Sequence, residues 1–390
     1  MKRFEITFFY GPRPDRYNDA STFTMMAESG ITLAQMQGSP EEIKTALKGC
    51  AAAGVRVNVS DWRVWRALEV DEAECDRIVA EICADYAGYE ALNGFDLVDE
   101  PHCRAFDGLG RVVAAFRRHA PQCETVINLY PDQAFLESLG NASYEEHLED
   151  FVTRVNPDFI SYDHYHFFGR DCPRPTLSPT GDRRADLIMQ TAFCEHDRPS
   201  FLGNAEKVRR CARAHGLDAM CIVLLTEHGM YRNLTRAELS WEVNMCLVYG
   251  FRRVSFFTYA VPVGDADDVW RWDNAMVDSE GKPYQHYYDV QAISRWLRPL
   301  GEHLFSLDCE RVCDTAAETV CHGNIRGITG DAMVGCYSDG SVLIANKSHM
   351  LSETFTVTAD TLTRYDTETD RFVPCDTTFT IEAGASVLIK

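Results

Sequence analysis

The apolar run Gly94-Phe95-Asp96-Leu97-Val98 ends abruptly in two adjacent carboxylates, Asp99 and Glu100, followed by Pro101 and His102. A second run, "AMCIVLLTE" (219–227), ends in Thr226-Glu227 and is followed by His228. Two carboxylates carried on opposing strand ends suit hydrolysis of a glycosidic bond, which needs a proton donor to the leaving oxygen and a nucleophile or base at the anomeric carbon. Other run ends carry related groups: Asp61 and Trp62 with Trp65 beyond, Asn128 and Tyr130, Asp163-His164-Tyr165-His166, and Tyr259 followed by Trp270 and Trp272. Trp and Tyr rings suit the apolar face of a sugar, and Asn, His and Asp suit its hydroxyls.

These residues need a frame that brings many strand ends to one place. Eight apolar runs read as strands, at 4–10, 31–37, 55–61, 94–100, 124–130, 158–167, 219–227 and 253–261. Between them lie amphipathic stretches with helix-start signals at Ser39-Pro40-Glu41-Glu42, Ser143-Tyr144-Glu145-Glu146 and Thr235-Arg236-Ala237-Glu238, each read as a capping box. Gly54 and Gly250 sit where such helices would stop, and a last helix spans 287–305. Eight strand-then-helix units match a (β/α)8 barrel, whose active site lies at the C-terminal ends of the strands. A doubly wound open sheet competes, but no Gly-rich phosphate loop follows the first strand. From Cys309 the texture changes to short β-prone pieces, with Ser338-Asp339-Gly340 as a hairpin turn. The expected division is therefore a catalytic barrel over 1–308 and a small antiparallel β-sandwich over 309–390 that leans on it. Its last strand, 385–390, alternates and should pair within a sheet.

Composition narrows the partners. The 390 residues are 45% hydrophobic, ordinary for a globular chain with a sizeable core, and 38 basic against 59 acidic residues give a formal charge of −21. No block of Lys and Arg could track a phosphate backbone, so nucleic acid and anionic membrane are poor partners. The N-terminal "MKRFEITFFYGPRP" reads as a first strand, not a signal peptide, and no run has the length of a membrane helix. Fifteen scattered cysteines fit a reduced cytoplasm. Cys309, Cys313, Cys321 and His322 lie close in sequence but lack paired C-x-x-C spacing, so no metal and no cofactor is expected.

The strand end "DLVDEP" resembles the "Asn-Glu-Pro" end of strand four in clan A glycoside hydrolases, and Glu227 in "LLTEHG" matches that clan's strand-seven nucleophile. The segment 249–262 and the closing β-domain are similar to barrels near the family 42 β-galactosidases. The resemblance implies a retaining, exo-acting β-glycosidase for small oligosaccharides or glycosides, with Glu100 as general acid/base and Glu227 as nucleophile. Among the strand ends themselves, Asp163 is the next carboxylate should Glu227 fail. Asp61, Trp62, Asp99, Asn128, Tyr130, Asp163, His164, Tyr165, His228, Tyr259 and Trp272 are the expected substrate contacts. Two departures stand out. Asp99 replaces the clan's Asn, placing a second negative charge beside Glu100 that favours its protonated form. The family 42 enzymes are longer, so their trimer does not carry over. Strand alternation predicts that Asp99 and Glu100 face opposite sides.

Each residue also has a plainer reading: acids at a helix start are favourable on electrostatic grounds alone, and the aromatics could be packing. Two other functions compete. A sugar-binding protein on a decayed barrel would hydrolyse nothing, and a metal-dependent hydrolase would use Asp163, His164, His166 and His228. A Schiff-base lyase needs a lysine at a strand end, and no barrel strand ends in one.

Overall fold

The computed structural model describes residues 3–12, 18–169, 197, 200–263 and 270–390. Along the chain run β1 (Glu5–Phe9), α1 (Ala20–Glu28), β2 (Leu33–Gln37), α2 (Pro40–Ala53), β3 (Arg56–Ser60), α3 (Arg63–Glu69), α4 (Glu72–Tyr86) and β4 (Leu92–Asp99). Then come α5 (Phe106–His119), β5 (Glu124–Leu129), α6 (Leu136–Leu139), α7 (Tyr144–Val155), β6 (Phe159–His164) and α8 (Phe201–Ala214). The series ends with β7 (Asp218–Leu224), α9 (Arg236–Val248), β8 (Arg253–Phe257) and α10 (Gln285–Phe305). Strands β1 to β8 close in sequence order into a barrel whose neighbours pair in parallel, the TIM-barrel arrangement.

Helix α2 shows how local sequence sets an element. Ser39 and Glu42 form a reciprocal capping box, Pro40 occupies the first turn, and Gly54 ends the helix at φ 75°. Ile43, Ala46, Leu47 and Cys50 recur at helical spacing and are buried. The Thr235–Glu238 box is complete as well. At Ser143 only half the box forms, because Glu146 accepts from the Ala142 backbone N–H instead of that of Ser143. Strands β6 and β8 stop at His164 and Phe257, short of the residues expected from their aromatic runs.

Strand β4 carries the irregularity that matters most for the site. Its register against β5 shifts between Asp96 and Val98, a bulge of one residue. Phe95 packs on Phe116 of α5 with ring centroids 4.4 Å apart, while Asp96 accepts a hydrogen bond from Gln35 of β2. The extra residue resets the alternation beyond it.

After α10 come β9 (Cys309–Asp314), β10 (Gly327–Thr329), β11 (Ala332–Tyr337), β12 (Val342–Asn346), β13 (Glu353–Thr358), β14 (Thr363–Asp366), β15 (Arg371–Pro374), β16 (Thr378–Ile381) and β17 (Ser386–Ile389). They form an antiparallel sheet β10-β13-β16 and a second sheet β15-β14-β17-β12-β11-β9. Val334, Val342, Ile344, Phe355, Val357 and Ile389 share one core between the two. Gly340, at φ 86°, permits the turn joining β11 to β12.

The chain divides into two compact units, one of Met1–Glu5, Leu234–Val254 and Gln291–Lys390, the other of Ile6–Asn233 and Ser255–Val290. Helix α9 thus belongs with the β-sheets, to which it is tied by hydrogen bonds. Asn244 donates to the Gly384 carbonyl at 2.8 Å, Ser386 donates to Asn244 at 2.6 Å, and the Trp241 indole donates to the Lys347 carbonyl at 3.0 Å. No helix among the described residues is long and apolar enough to cross a membrane.

Candidate active site

A cavity of about 310 Å3 opens at the C-terminal ends of the barrel strands, lying wholly within the second unit. Phe9, Ile222 and Phe257 supply its apolar lining, from β1, β7 and β8. Asp99, Glu100 and Asp163 contribute carboxylates from the ends of β4 and β6. Asn128 of β5 links two of them: its amide nitrogen donates to Asp99 Oδ1 at 2.9 Å and to Asp163 Oδ1 at 3.1 Å, while its oxygen accepts from Ser161 Oγ at 3.0 Å. With its oxygen satisfied by Ser161, the amide is oriented with its donors toward the acids.

The expectation that Asp99 and Glu100 face opposite sides is overturned, since both line the cavity. The cause lies in the backbone. The β4 bulge resets the parity at Asp99, and Glu100 then adopts φ 48°, a left-handed conformation rare for a residue with a Cβ, leaving strand geometry altogether. Its N–H still donates to the Asn128 carbonyl at 2.8 Å, anchoring the turn.

Aromatic rings form another part of the wall. Trp270 and Trp272 stack with centroids 5.8 Å apart, and His228 stacks on Trp272 at 4.4 Å. Tyr165 meets Tyr231 edge-on at 5.3 Å. Burial pushes the Tyr165 phenol well above its ordinary range, and the charges of Asp163, Asp99 and Glu100 add to that, so it is a neutral hydroxyl at physiological pH. Gly229, at φ 54°, lets Trp270 lie close: a Cβ there would sit 3.1 Å from the indole. Deeper in the barrel Asp96 is fully buried, and burial, then the charge of Asp99, raises its carboxyl to about 7.

Glu227 lies three residues beyond the end of β7 and is not among the residues that line this cavity. It is half-buried, and its Oε2 accepts a hydrogen bond of 2.7 Å from Asn274 Nδ2. Asn274 is held in turn by its carbonyl, 2.6 Å from His286 Nδ1, and the Asp273 N–H donates to the Glu227 carbonyl at 2.9 Å.

Of the expected contacts, Asp99, Asn128, Tyr130, Asp163, Tyr165, His228 and Trp272 come together around the cavity; Asp61, Trp62, His164 and Tyr259 do not. Asp61 is buried against Arg63 at 2.7 Å and the Tyr86 hydroxyl at 2.7 Å. Trp62 is 65% exposed and Trp65 57%, both at the start of α3. His164 points out of the barrel by strand parity and pairs with Ser200 at 3.0 Å. Tyr259 is buried against Phe8 at 4.8 Å. Sequence reading missed Phe9, Phe135 and Tyr231 in the cavity and Asn274 and His286 behind Glu227, residues whose types carry no signal of their own.

Among the described residues the histidines of the metal reading form no cluster of possible ligands: His166 packs on Phe167 and Phe201, and His228 Nδ1 lies 2.7 Å from the Thr226 carbonyl. Cys309 and Cys313 are buried in β9, whereas Cys321 is exposed. Among the described residues, Glu149 of α7, Cys211 of α8 and His215 just past α8 bring possible ligand atoms within 4.8 Å of one another, and His215 already pairs with Glu149 at 2.9 Å.

No protein-family model matches the chain, and no curated protein matches it by sequence. Solved structures do resemble it in fold. A family 5 glycoside hydrolase from Bacteroides vulgatus aligns with a TM-score of 0.58 and 10% identity, over 99% of this chain and 89% of its own. A family 39 glycoside hydrolase from the gut symbiont Bacteroides cellulosilyticus gives 0.55 and 11%, over 99% and 81%. A β-galactosidase from a psychrophilic Marinomonas gives 0.53 and 11%, over 78% of this chain and 62% of its own, so the chain spans less than two thirds of that protein.

Proposed function

We propose that the chain is a glycoside hydrolase, a retaining β-glycosidase that acts on small glycosides, with Glu100 as general acid/base. The observation that carries the reading is the joining of carboxylates from β4 and β6 with an aromatic wall in one cavity at the strand ends. Its volume of about 310 Å3 is at the small end for ligand sites and suits exo action on a short substrate. The solved structures described above, all bearing glycosidase names, share this frame.

In the proposed cycle Glu100 protonates the leaving glycosidic oxygen while Glu227 attacks the anomeric carbon; Glu100 then takes a proton from the water that releases the sugar. Asn274 holds one oxygen of Glu227 and leaves the other to act as nucleophile. No cofactor enters this scheme. A second assignment has its own support: Asp163 lines the cavity and Glu227 does not, which favours Asp163 as the attacking group. The scattered cysteines support a reduced, cytoplasmic setting, and a β-galactoside is the first substrate to try.

A screen of aryl glycosides on the purified protein tests the activity, and a 2-deoxy-2-fluoro glycoside of the best sugar then traps the glycosyl-enzyme for peptide mapping. Label on the peptide bearing Glu227 supports the scheme, and label on Asp163 moves the nucleophile there. Release of the inverted sugar would remove the covalent intermediate, and no hydrolysis of any aryl glycoside would leave a sugar-binding protein in place of an enzyme.

A further inference from the structure

The unit that holds the β-sheets contains a cleft of about 630 Å3, bounded by α9, α10, β14, β15 and β17 and larger than the cavity of the proposed active site. Helical spacing places Trp296 of α10 beside Ile293 and Leu300, both buried. Trp296 is only half-buried, because the cleft opens over its indole. Val373, 40% exposed on β15, extends the apolar surface.

Polar groups surround it. Arg236 and Arg364 bring two guanidiniums, and Asp366 and Glu382 bring two carboxylates, so the formal charges of the lining balance. Such a lining selects neither an anion nor a cation by its net field. It offers fixed donors and acceptors together, beside a flat ring and among the hydroxyls of Ser240 and Thr367. The acceptors are held in place: Glu382 accepts from Ser352 at 2.6 Å, and Asp366 from the Glu368 N–H at 2.9 Å and the Thr369 hydroxyl at 2.9 Å. A neutral polyol with one apolar face is the ligand this arrangement complements.

We propose that the cleft is a second, non-catalytic binding site for a neutral oligosaccharide, with one sugar ring on Trp296 and its hydroxyls bonded by Arg364 and Glu382. The choice of a sugar over another neutral polyol rests on the glycosidase reading; the cleft and its charge balance do not. The site would hold a longer chain while hydrolysis proceeds elsewhere, lowering KM for oligosaccharides and leaving aryl monoglycosides unaffected.

The test uses the full chain carrying Glu100→Gln, so that ligand is not consumed. Neutral β-linked tetra- and hexasaccharides of glucose, galactose, mannose and xylose are titrated by calorimetry, with indole fluorescence as a second signal. At least one should show a binding event that Trp296→Ala and Arg364→Ala each weaken by about tenfold or more, about 1.4 kcal/mol. Arg364 is exposed, so its removal spares the fold if Trp296→Ala does not. Both variants, with Glu100 restored, should keep the turnover of aryl monoglycosides.

Unchanged binding of every oligosaccharide by both variants, or no binding at all, overturns the proposal. So does tighter Trp296-dependent binding of an oligogalacturonate, which would mark an anion site, or self-association in sedimentation that Trp296→Ala abolishes. Calorimetry does not depend on turnover, so failure of the glycosidase reading is seen separately, in the aryl-glycoside screen.

Discussion

Asp96→Asn isolates the cost of keeping an acid inside the barrel. The Asp96 carboxyl is fully buried, and burial, with the charge of Asp99 added, raises it to about 7. An unfolded chain ionises an Asp near pH 3.9, so between about pH 4 and pH 7 the folded state holds a proton that the unfolded state has lost. Stability therefore falls as pH rises through that window, opposite to the behaviour of a salt-bridged acid, and a difference of about three pH units corresponds to about 4 kcal/mol. With an unfolding entropy of about 2.1 cal/mol/K per residue, that is a midpoint change of about 5 °C for a chain this long. Asn preserves the geometry. Gln35 is fixed because its Oε1 accepts from the Tyr10 N–H at 2.6 Å, so its amide nitrogen still faces position 96, where Asn retains an acceptor. Scanning calorimetry of parent and variant from pH 4 to pH 8 reads the effect. The variant's midpoint should gain about 5 °C on the parent across that range, with most of the gain between pH 5 and pH 7. Parallel curves would refute the reasoning, because they would mean that Asp96 titrates alike in the folded and unfolded chains.

Two further outcomes test other assignments. Deleting 381–390 removes β17, which lies between β14 and β12 in its sheet and buries Val387, Leu388 and Ile389, so soluble expression should collapse; a truncated chain as soluble and stable as the parent would contradict the placement of that strand. Burial alone would raise Asp61, but Arg63 and the Tyr86 hydroxyl hold it below the ordinary range, so it stabilises the fold above about pH 4 and the effect is lost as pH falls lower. Asp61→Ala should then cost about 3–5 kcal/mol at pH 7, less at pH 3, with KM unchanged, and a raised KM without loss of stability would return Asp61 to the substrate.

The repeating parts of the fold were legible because they obey simple periods. Ile43, Ala46, Leu47 and Cys50 mark the buried face of α2, and the alternating end of the chain does enter a sheet. The choice of neighbours at the barrel mouth was harder to read, because it depends on partners distant in sequence. Asp61 and Asp163 both follow apolar runs, yet Arg63 and Tyr86 claim the first while Asn128 holds the second beside the cavity. Tyr259 and Tyr165 are both aromatics beyond a strand end, and Phe8 encloses only one of them. The Asn274 and His286 pair behind Glu227 lies in and beyond the segment after β8, where no period exists to be read.

Strand β4 shows why parity fails where it matters most. Strict alternation over three steps would send Asp96 and Asp99 to opposite faces of the sheet, and a single inserted residue returns both to the interior side. Neither residue type nor spacing announces that bulge, since Leu97 and Val98 are ordinary strand residues. Glu100 departs further, adopting a backbone angle that costs a non-glycine residue of order 1–3 kcal/mol and is retained only where surrounding contacts impose it. Here the contact is the Glu100 N–H on the Asn128 carbonyl, while the Asn128 side chain holds Asp99 and Asp163. One asparagine therefore positions three carboxylates, two through its amide and one through its backbone. The two adjacent acids at the tip of the strand share a cavity because the strand has already ceased to be regular when it reaches them.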